Sequence, residues 1–319
     1  MIKMYVRTVL GDIDISNIGH CQCHEHIYLE KGYSEKVNKV LCIDDYNKSL
    51  EELKHYYSNG GRTIVDAQPI GCGRSSQKLV NLSMKSRVNI IASTGFHKLI
   101  FYPSDHWIFK VNTEFFAELM TKEIEDGMFV NSDLNYPRQQ INAKAGMIKV
   151  ACDVQGLDNT YKKYLLGAAN VAINTGVSIQ CHIEKANTAE NIVNYLLEIG
   201  VDAKSIILAH MDRSIEHLKE NLSVAKKGIY MQYDTIGRFK YHSDEEEINF
   251  IKEMCDKGFE NNILLGLDTT RARLLSYDGT IGLSYIREHF MENLKVNGFK
   301  NKQLDSFFIK NPIKALSKK

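Results

Sequence analysis

Side chains of the types that bind metal ions are spread along the chain, each close to the end of an apolar segment: His24, His26, Lys149, His182, His210 and Asp268. Imidazoles and carboxylates are common ligands of zinc and similar divalent ions. Lys149 stands within the apolar stretch 145–151, where an unpaired ammonium is costly and the lysine must shift its pKa, find a partner or react. We interpret Lys149 as N6-carboxylysine, a carbamate of its amine and carbon dioxide, that bridges two metal ions.

Short apolar segments that alternate with helical patterns supply the elements that must position these residues. The predicted strands cover 18–26, 63–67, 89–94, 145–151, 177–182, 205–210, 229–233 and 263–268. Eight strands of this kind indicate an α/β protein with a (β/α)8 TIM barrel, preceded by a short N-terminal β-hairpin over residues 2–15. A doubly wound open sheet is the alternative. No linker or repeat argues for a second domain, so we expect one domain over residues 1–319.

The first strand carries a His-x-His pattern. A period of two would place Gln22, His24 and His26 on one face and Cys21, Cys23 and Glu25 on the other. The two cysteines would then face away from the histidines, and we do not count them as ligands.

The predicted site has the composition of a two-metal hydrolase. Active sites of TIM barrels lie at the carboxyl ends of the strands, where all six residues are expected. Two ions lower the pKa of a water held between them and polarise the group that is attacked. Asp268 is the ligand placed to accept the proton of the bridging hydroxide and deliver it to the leaving group. Zinc is the expected metal, with Mn²⁺, Co²⁺ and Fe²⁺ as alternatives.

Three parts of the chain carry a resemblance to a known family: 19–26, 146–151 and the later residues His182, His210 and Asp268. They resemble the phosphotriesterase-like lactonases of the amidohydrolase superfamily, and the similarity spans nearly the whole chain. The resemblance implies a metal-dependent lactonase. It also implies that His24, His26 and Asp268 bind the first metal, that His182 and His210 bind the second, and that carboxylated Lys149 bridges them.

The long segment from Gly95 to Asn112 departs from this resemblance. Simple lactonases of the family carry a tyrosine near the substrate carbonyl, and here His97 follows the third strand, with Lys98 and Tyr102 close behind. Long loops of compact domains are commonly functional. Hydrophobic acyl lactones are therefore not the expected substrates.

Cations follow the seventh and eighth strands, where TIM barrels often bind phosphate. Arg238 and Lys240 lie in the first of these loops, and Arg271 and Arg273 in the second. Arginine matches phosphate oxygens in bidentate geometry. The segments from Gly95 to His106 and from Asp268 to Tyr285 resemble a branch of the family that hydrolyses phosphorylated sugar lactones. This resemblance predicts a small anionic substrate of the pentono-1,4-lactone 5-phosphate type. The predicted substrate contacts are His97, Lys98, Tyr102, Lys240, Arg271 and Arg273.

Bulk properties narrow the class of protein. The chain has 319 residues, is 44% hydrophobic and 25% charged, and carries a net charge of +1. This balance gives no reason to expect nucleic acid or membrane partners, and no segment looks like a signal peptide or a membrane span. Seven cysteines without a spaced framework indicate thiols in a reducing cytoplasm. A homodimer remains open.

Competing interpretations use the same residues differently. A lyase that forms a Schiff base through Lys149 would explain the buried lysine, but it would leave the histidines and Asp268 without a role. An amidohydrolase or phosphoesterase would use the same metals on another substrate. A non-catalytic binding protein would have no need to keep every position of the metal site.

Overall fold

The computed structural model describes residues 4–318, in which eight parallel strands form one sheet. In chain order these strands are β3 (His20–Glu25), β4 (Gly61–Asp66), β5 (Asn89–Gly95), β8 (Met147–Ala151), β9 (Ile179–His182), β10 (Ile206–Ala209), β11 (Tyr230–Tyr233) and β12 (Ile263–Leu265). Each strand after β3 pairs with the preceding strand of this series, so the chain runs in one direction around the sheet. The eight predicted strands are confirmed.

Contacts between the first and last strands close the sheet into a barrel. The backbone N–H of Asp268 donates to the carbonyl of His24 at 2.9 Å. Gly266 lets the first and last strands approach each other closely, because a Cβ at this position would lie 2.9 Å from the backbone nitrogen of His24. The fold is therefore the predicted TIM barrel, and the open-sheet alternative is wrong. A single domain over residues 1–319 stays a prediction.

Helices cover the outside of the barrel. They are α1 (Tyr33–Val37), α2 (Tyr46–Ser58), α3 (Ser76–Ser86), α4 (Thr113–Glu125), α5 (Asn159–Thr175), α6 (Ala189–Ile199), α7 (Leu218–Ala225), α8 (Asp244–Asp256), α9 (Met291–Val296), α10 (Asn301–Asp305) and α11 (Asn311–Leu316). Side chains cap several of them, such as Asp45 at α2 and the capping box of Ser243 and Glu246 at α8. None of the helices in residues 4–318 is long and apolar enough to cross a membrane.

A hairpin lies at the amino-terminal end of the barrel. It consists of β1 (Tyr5–Thr8) and β2 (Gly11–Asp14), and β13 (Ser317–Lys318) adds a third strand beside β1. Residues 2 and 3 of the predicted hairpin lie outside the described part of the chain. Val6 packs in one apolar cluster with Met147 and Ile207. Because Met147 shares a strand face with Lys149, this cluster fills the barrel interior beneath the lysine.

The predicted alternation along β3 is wrong. Gln22 Nε2 donates to Glu25 Oε1 at 2.8 Å, so these two side chains meet instead of lying on opposite faces. The pairing of β3 with β4 shifts register between Gln22 and Glu25, which breaks the period of two. Cys21 and Cys23 pack into the interior cluster below the site. Neither cysteine belongs to a group of potential metal ligands among the described residues.

Two very short strands form a separate small sheet. They are β6 (Phe129–Val130) and β7 (Gln139–Gln140), which pair antiparallel between α4 and β8. The segment from Gly95 to Asn112, predicted to be a loop, begins with the last residue of β5 and then contains two short 3₁₀ helices, Leu99–Phe101 and Trp107–Lys110. This loop brings its first residues to the open end of the barrel.

Candidate metal centre

The predicted ligands gather at the carboxyl ends of five strands. Lys149 is the middle residue of β8, and the others stand near the end of β3, β9, β10 or β12 or just beyond it. All six are buried: His24, His26, Lys149, His182, His210 and Asp268. All except Lys149 line one cavity of about 500 Å³. A strand end places a side chain at the barrel mouth whatever its distance along the chain, which is why residues far apart in sequence meet here.

His24, His26 and Asp268 form one group. Asp268 Oδ1 lies 3.3 Å from His26 Nε2 and 3.7 Å from His24 Nε2. The ligand atoms of the three residues lie within 4.8 Å of one another, a spacing that a metal ion can bridge. His26 Nδ1 is buried without a hydrogen-bond partner in the described structure.

Asp234, which the sequence analysis did not identify, connects this group to the second one. It follows β11, and its two carboxylate oxygens lie 2.7 Å from His24 Nδ1 and 2.6 Å from His210 Nδ1. A carboxylate accepts hydrogen bonds, so both histidines carry a proton on Nδ1 and a lone pair on Nε2. Asp234 therefore fixes the tautomer of one histidine in each group. Its position directly after a strand was the only sequence signal for this role.

His182 and His210 form the second group. His210 Nε2 lies 2.8 Å from His182 Nδ1, and His182 Nε2 lies 2.9 Å from Glu184 Oε1. Since Glu184 takes the Nε2 proton of His182, two nitrogen lone pairs face each other across 2.8 Å. Such a pair needs a proton or a metal ion between the nitrogens. Glu184 was also missed in the sequence, where it is one charged residue in a polar loop.

Lys149 lies at the floor of the site, between the two groups. Its Nζ is 3.2 Å from His24 Nε2 and 3.3 Å from Gln180 Oε1. Burial lowers the pKa of Lys149 to about 8. A larger share of its amine is therefore neutral near pH 7 than for an exposed lysine.

Burial favours the neutral form of His24, His182 and His210, and Arg238 favours the ionised form of Asp268. Burial lowers the pKa of His182 to about 3 and that of His210 well below its usual value. Burial alone would raise the pKa of Asp268, but the Arg238 guanidinium and the neighbouring imidazoles hold that pKa well below its usual value. Arg238 Nη2 lies 2.9 Å from Asp268 Oδ2. Neutral imidazoles and an ionised carboxylate are the protonation states that bind metals.

Two ligand positions adopt strained backbone conformations. His210 has φ of 64° and Asp268 has φ of 47°, in the left-handed region that residues other than glycine rarely enter. Strain of this kind costs about 1–3 kcal/mol at each residue and is common at functional sites. Here it turns each side chain inward just after its strand.

The predicted substrate contacts divide into two sets. Those that line the cavity are His97, Lys98, Lys240 and Arg273. Tyr102 does not reach it, because the tyrosine is buried with its hydroxyl bound to the backbone of His97 and Ile70. Arg271 also points away, toward Asp44 at 3.0 Å. Arg213 and Arg238, which were not among these predicted contacts, do line the cavity.

Comparison with known proteins agrees with this architecture. The sequence profile described as the Phosphotriesterase family matches residues 4–316. The chain belongs to the phosphotriesterase family. It is therefore a metal-dependent hydrolase, in a family whose members use binuclear metal centres.

Individual members of the family match over almost their full length. A phospho-furanose lactonase of Mycoplasmopsis agalactiae is 30% identical over 98% of this chain and 91% of that protein. An amidohydrolase structure from Mycoplasma synoviae aligns with a TM-score of 0.93 and 28% identity over 100% of this chain and 93% of that one. The phosphotriesterase homology protein of Escherichia coli, solved with phosphate in its active site, aligns with a TM-score of 0.83 and 25% identity over 93% and 98%.

Asp234→Asn is expected to weaken metal binding about 10- to 100-fold, the usual effect of losing a group that orients metal-ligating histidines. An asparagine has one carbonyl oxygen, whereas Asp234 accepts from two histidines. Its amide N–H would face one of the Nδ1–H groups. Zinc affinity by chelator competition measures the effect, with Asp256→Asn at the exposed end of α8 as control. Equal affinity in both variants would exclude this orienting role.

Proposed function

We propose that this protein hydrolyses a phosphorylated furanose lactone, of the pentono-1,4-lactone 5-phosphate type, at a binuclear metal centre. The observation that carries the proposal is the convergence of unprotonated ligand atoms on one cavity whose wall carries cations. His24 Nε2, His182 Nδ1 and His210 Nε2 all present lone pairs there. The similarity to a phospho-furanose lactonase supports the same substrate class.

The residues fit two divalent ions. His24, His26 and Asp268 would hold one ion, and His182 and His210 the other, with Lys149 as a carbamate between them. Lone pairs that face each other across short distances would repel in the absence of a cation, which is why the donor set fits. When bound, such ions supply a water of lowered pKa and polarise the lactone carbonyl. Zinc suits this set of imidazoles and carboxylates.

Lys149 is suited to become a carbamate because its amine is buried and its pKa is about 8. Only the neutral amine attacks carbon dioxide, with loss of one proton to form N6-carboxylysine. At pH 7 about one tenth of such an amine is neutral, against about one in three thousand for an ordinary lysine. The two carbamate oxygens would give each ion a shared anionic ligand.

Asp268 would move the proton in the reaction. Water adds to the lactone carbonyl carbon, and the bond from that carbon to the ring oxygen breaks. Asp268 accepts the proton from the attacking water and delivers it to the ring oxygen as that oxygen leaves. Arg238 keeps the carboxylate ionised and ready to accept. The product is an open-chain hydroxy acid that keeps its phosphate.

His97 would contact the substrate from the opposite wall. Its Nδ1 accepts the backbone N–H of Lys98 at 2.7 Å, and burial lowers the pKa of His97 well below its usual value. The neutral ring therefore carries its proton on Nε2. This N–H is a donor to an oxygen of the lactone.

Cations on the cavity wall would bind the phosphate. Lys240 has no ion-pair partner in residues 4–318, whereas Lys98 and Arg213 share an ion pair with Glu184. Arg238 and Arg273 line the same wall, and the Nε atom of each is buried without a partner in the described structure. The related protein of Escherichia coli was solved with phosphate in its active site, which is consistent with an anion here.

Hydrolysis rates for a panel of substrates test the proposal. A furanose lactone phosphate should be turned over faster than its unphosphorylated form. Lys240→Ala should lower kcat/KM for the phosphorylated lactone about 3- to 10-fold, because an exposed charged hydrogen bond is worth about 1 kcal/mol, and should leave the unphosphorylated lactone unaffected. Lys252→Ala, on the exposed side of α8, is the matched control. Equal rates for both lactones would reject the phosphate site, and faster hydrolysis of an N-acyl amide or a phosphate ester would reject the lactone.

A further inference from the structure

A second cluster of potential ligands lies outside the barrel mouth. It consists of Asp212, beyond the end of β10, His242, in the loop after β11, and Glu247, in the first turn of α8. All three side chains are buried. None of them lines the cavity of the candidate metal centre. Their ligand atoms lie within 4.8 Å of one another.

Hydrogen bonds determine what His242 can offer. Its Nδ1 lies 3.1 Å from the carbonyl oxygen of Ser243, so Nδ1 carries the proton. In the neutral ring, Nε2 then presents a lone pair toward Glu247 Oε2, 3.1 Å away. Thr235 Oγ1, 2.9 Å from the same nitrogen, donates its proton to Asp212 at 2.7 Å. A backbone carbonyl that orients the far nitrogen is typical of metal-binding histidines.

Thr235 donates to one oxygen of Asp212, but the other three carboxylate oxygens of the pair lack donors. Both oxygens of Glu247 and Oδ1 of Asp212 are buried without a hydrogen-bond partner in the described structure. No lysine or arginine in residues 4–318 forms an ion pair with either residue. The nearby charged groups include the carboxylates of Asp234 and Asp244, and burial together with these groups raises the pKa of Glu247 well above its usual value. A pair of buried acids without a cation is unfavourable unless something positive enters.

We propose that Asp212, His242 and Glu247 bind a further divalent cation of the zinc class, separate from the binuclear centre. Imidazole nitrogen and carboxylate oxygen are both ligands of zinc. Tetrahedral coordination at about 2.0–2.2 Å separates ligand atoms by roughly 3.3–3.6 Å, which is compatible with the observed cluster. A water or Thr235 Oγ1 completes the coordination. The cation supplies a partner for Asp212 Oδ1 and for one oxygen of Glu247, and its charge offsets both carboxylates.

The positions of the three ligands indicate a structural role for this ion. It ties the end of β10 to the loop after β11 and to the start of α8. That loop carries Asp234, which orients His24 and His210, and also Arg238 and Lys240. Binding of the ion therefore stabilises the segment that forms one wall of the substrate cavity.

Zinc stoichiometry tests the site in the full-length protein. After saturation with zinc and gel filtration, Glu247→Gln and His242→Gln should each contain one zinc ion fewer per chain than the wild type. The control Glu245→Gln, an exposed residue of the same helix turn, should match the wild type. All proteins are saturated and filtered in the same way, and the zinc content of each variant is compared with that of the wild type.

Anomalous scattering at the zinc edge from wild-type crystals is the second measurement, and it does not depend on how a variant folds. A peak between Asp212, His242 and Glu247 supports the site. Equal zinc content in all four proteins, together with no peak at this position, would overturn the proposal. The cluster would then be balanced by protons, as an imidazolium or a carboxylic acid.

Discussion

Lys149→Met is expected to lower kcat/KM by at least about 10³-fold and to reduce the bound zinc, because the shared anionic ligand is lost. Two-metal sites stabilise the transition state by several kcal/mol, and each 1.36 kcal/mol is a factor of ten in rate. Methionine keeps the length and apolar stem of the buried lysine, so the barrel interior stays filled. Metal content and lactone hydrolysis are measured together. Lys162→Met, exposed on α5, is the control.

The role of Lys149 as a carbamate can also be tested in the wild-type protein, through its requirement for carbon dioxide. Reactivation of the metal-free protein by zinc should require dissolved carbon dioxide, and ¹³C-labelled bicarbonate should produce a carbamate signal that Lys149→Met lacks. Because the pKa of Lys149 is lowered to about 8, the neutral amine increases with pH up to that value and is constant above it. At constant dissolved carbon dioxide, the reactivation rate should follow the same curve. Zinc reactivation without carbon dioxide would show that the lysine acts unmodified.

Asp268→Asn is expected to lower kcat by about 10²- to 10⁴-fold with little change in KM, the range for loss of a general acid–base group. The carboxamide oxygen can still ligate, so most of the metal should remain bound. Asparagine also tolerates the positive φ of 47° at this position, which limits any structural effect. Steady-state kinetics and metal analysis of the same preparation separate proton transfer from metal loss.

The matched control for this substitution is Asp278→Asn. Asp278 is an exposed aspartate of the same carboxyl-terminal region and also has a positive φ, of 64°. It should keep wild-type kinetics. If Asp268→Asn kept its metals and a kcat near the wild-type value, another group would have to move the proton. The assignment as a metal-dependent hydrolase would not be affected.

Local patterns in the sequence were sufficient for the barrel and for the gathering of the ligands. Strands are short apolar segments between turns, and parallel strands in a barrel all end at the same mouth. A histidine or aspartate at a strand end can therefore be placed without knowledge of its neighbours. Lys149 was conspicuous for a related reason, since a charged residue within an apolar strand needs an explanation.

Partners across the barrel could not be predicted in this way. Asp234 meets His24 and His210, and Glu184 meets Lys98 and Arg213, only because closure and strand register bring their side chains within hydrogen-bonding distance. In the sequence these acids look like any charged residue near a strand end.

Strand register and loop path also explain why the predictions for β3 and Arg271 were wrong. A register shift, invisible in the sequence, places Gln22 beside Glu25 and breaks the alternation of β3. Arg271 and Arg273 are two residues apart, yet one pairs with Asp44 at the surface and the other lines the cavity. The sequence by itself determined which residues end the strands and hence which ligands face the mouth, because that follows from local periodicity. Only the tertiary structure decided which charges meet, because pairing depends on register and loop path.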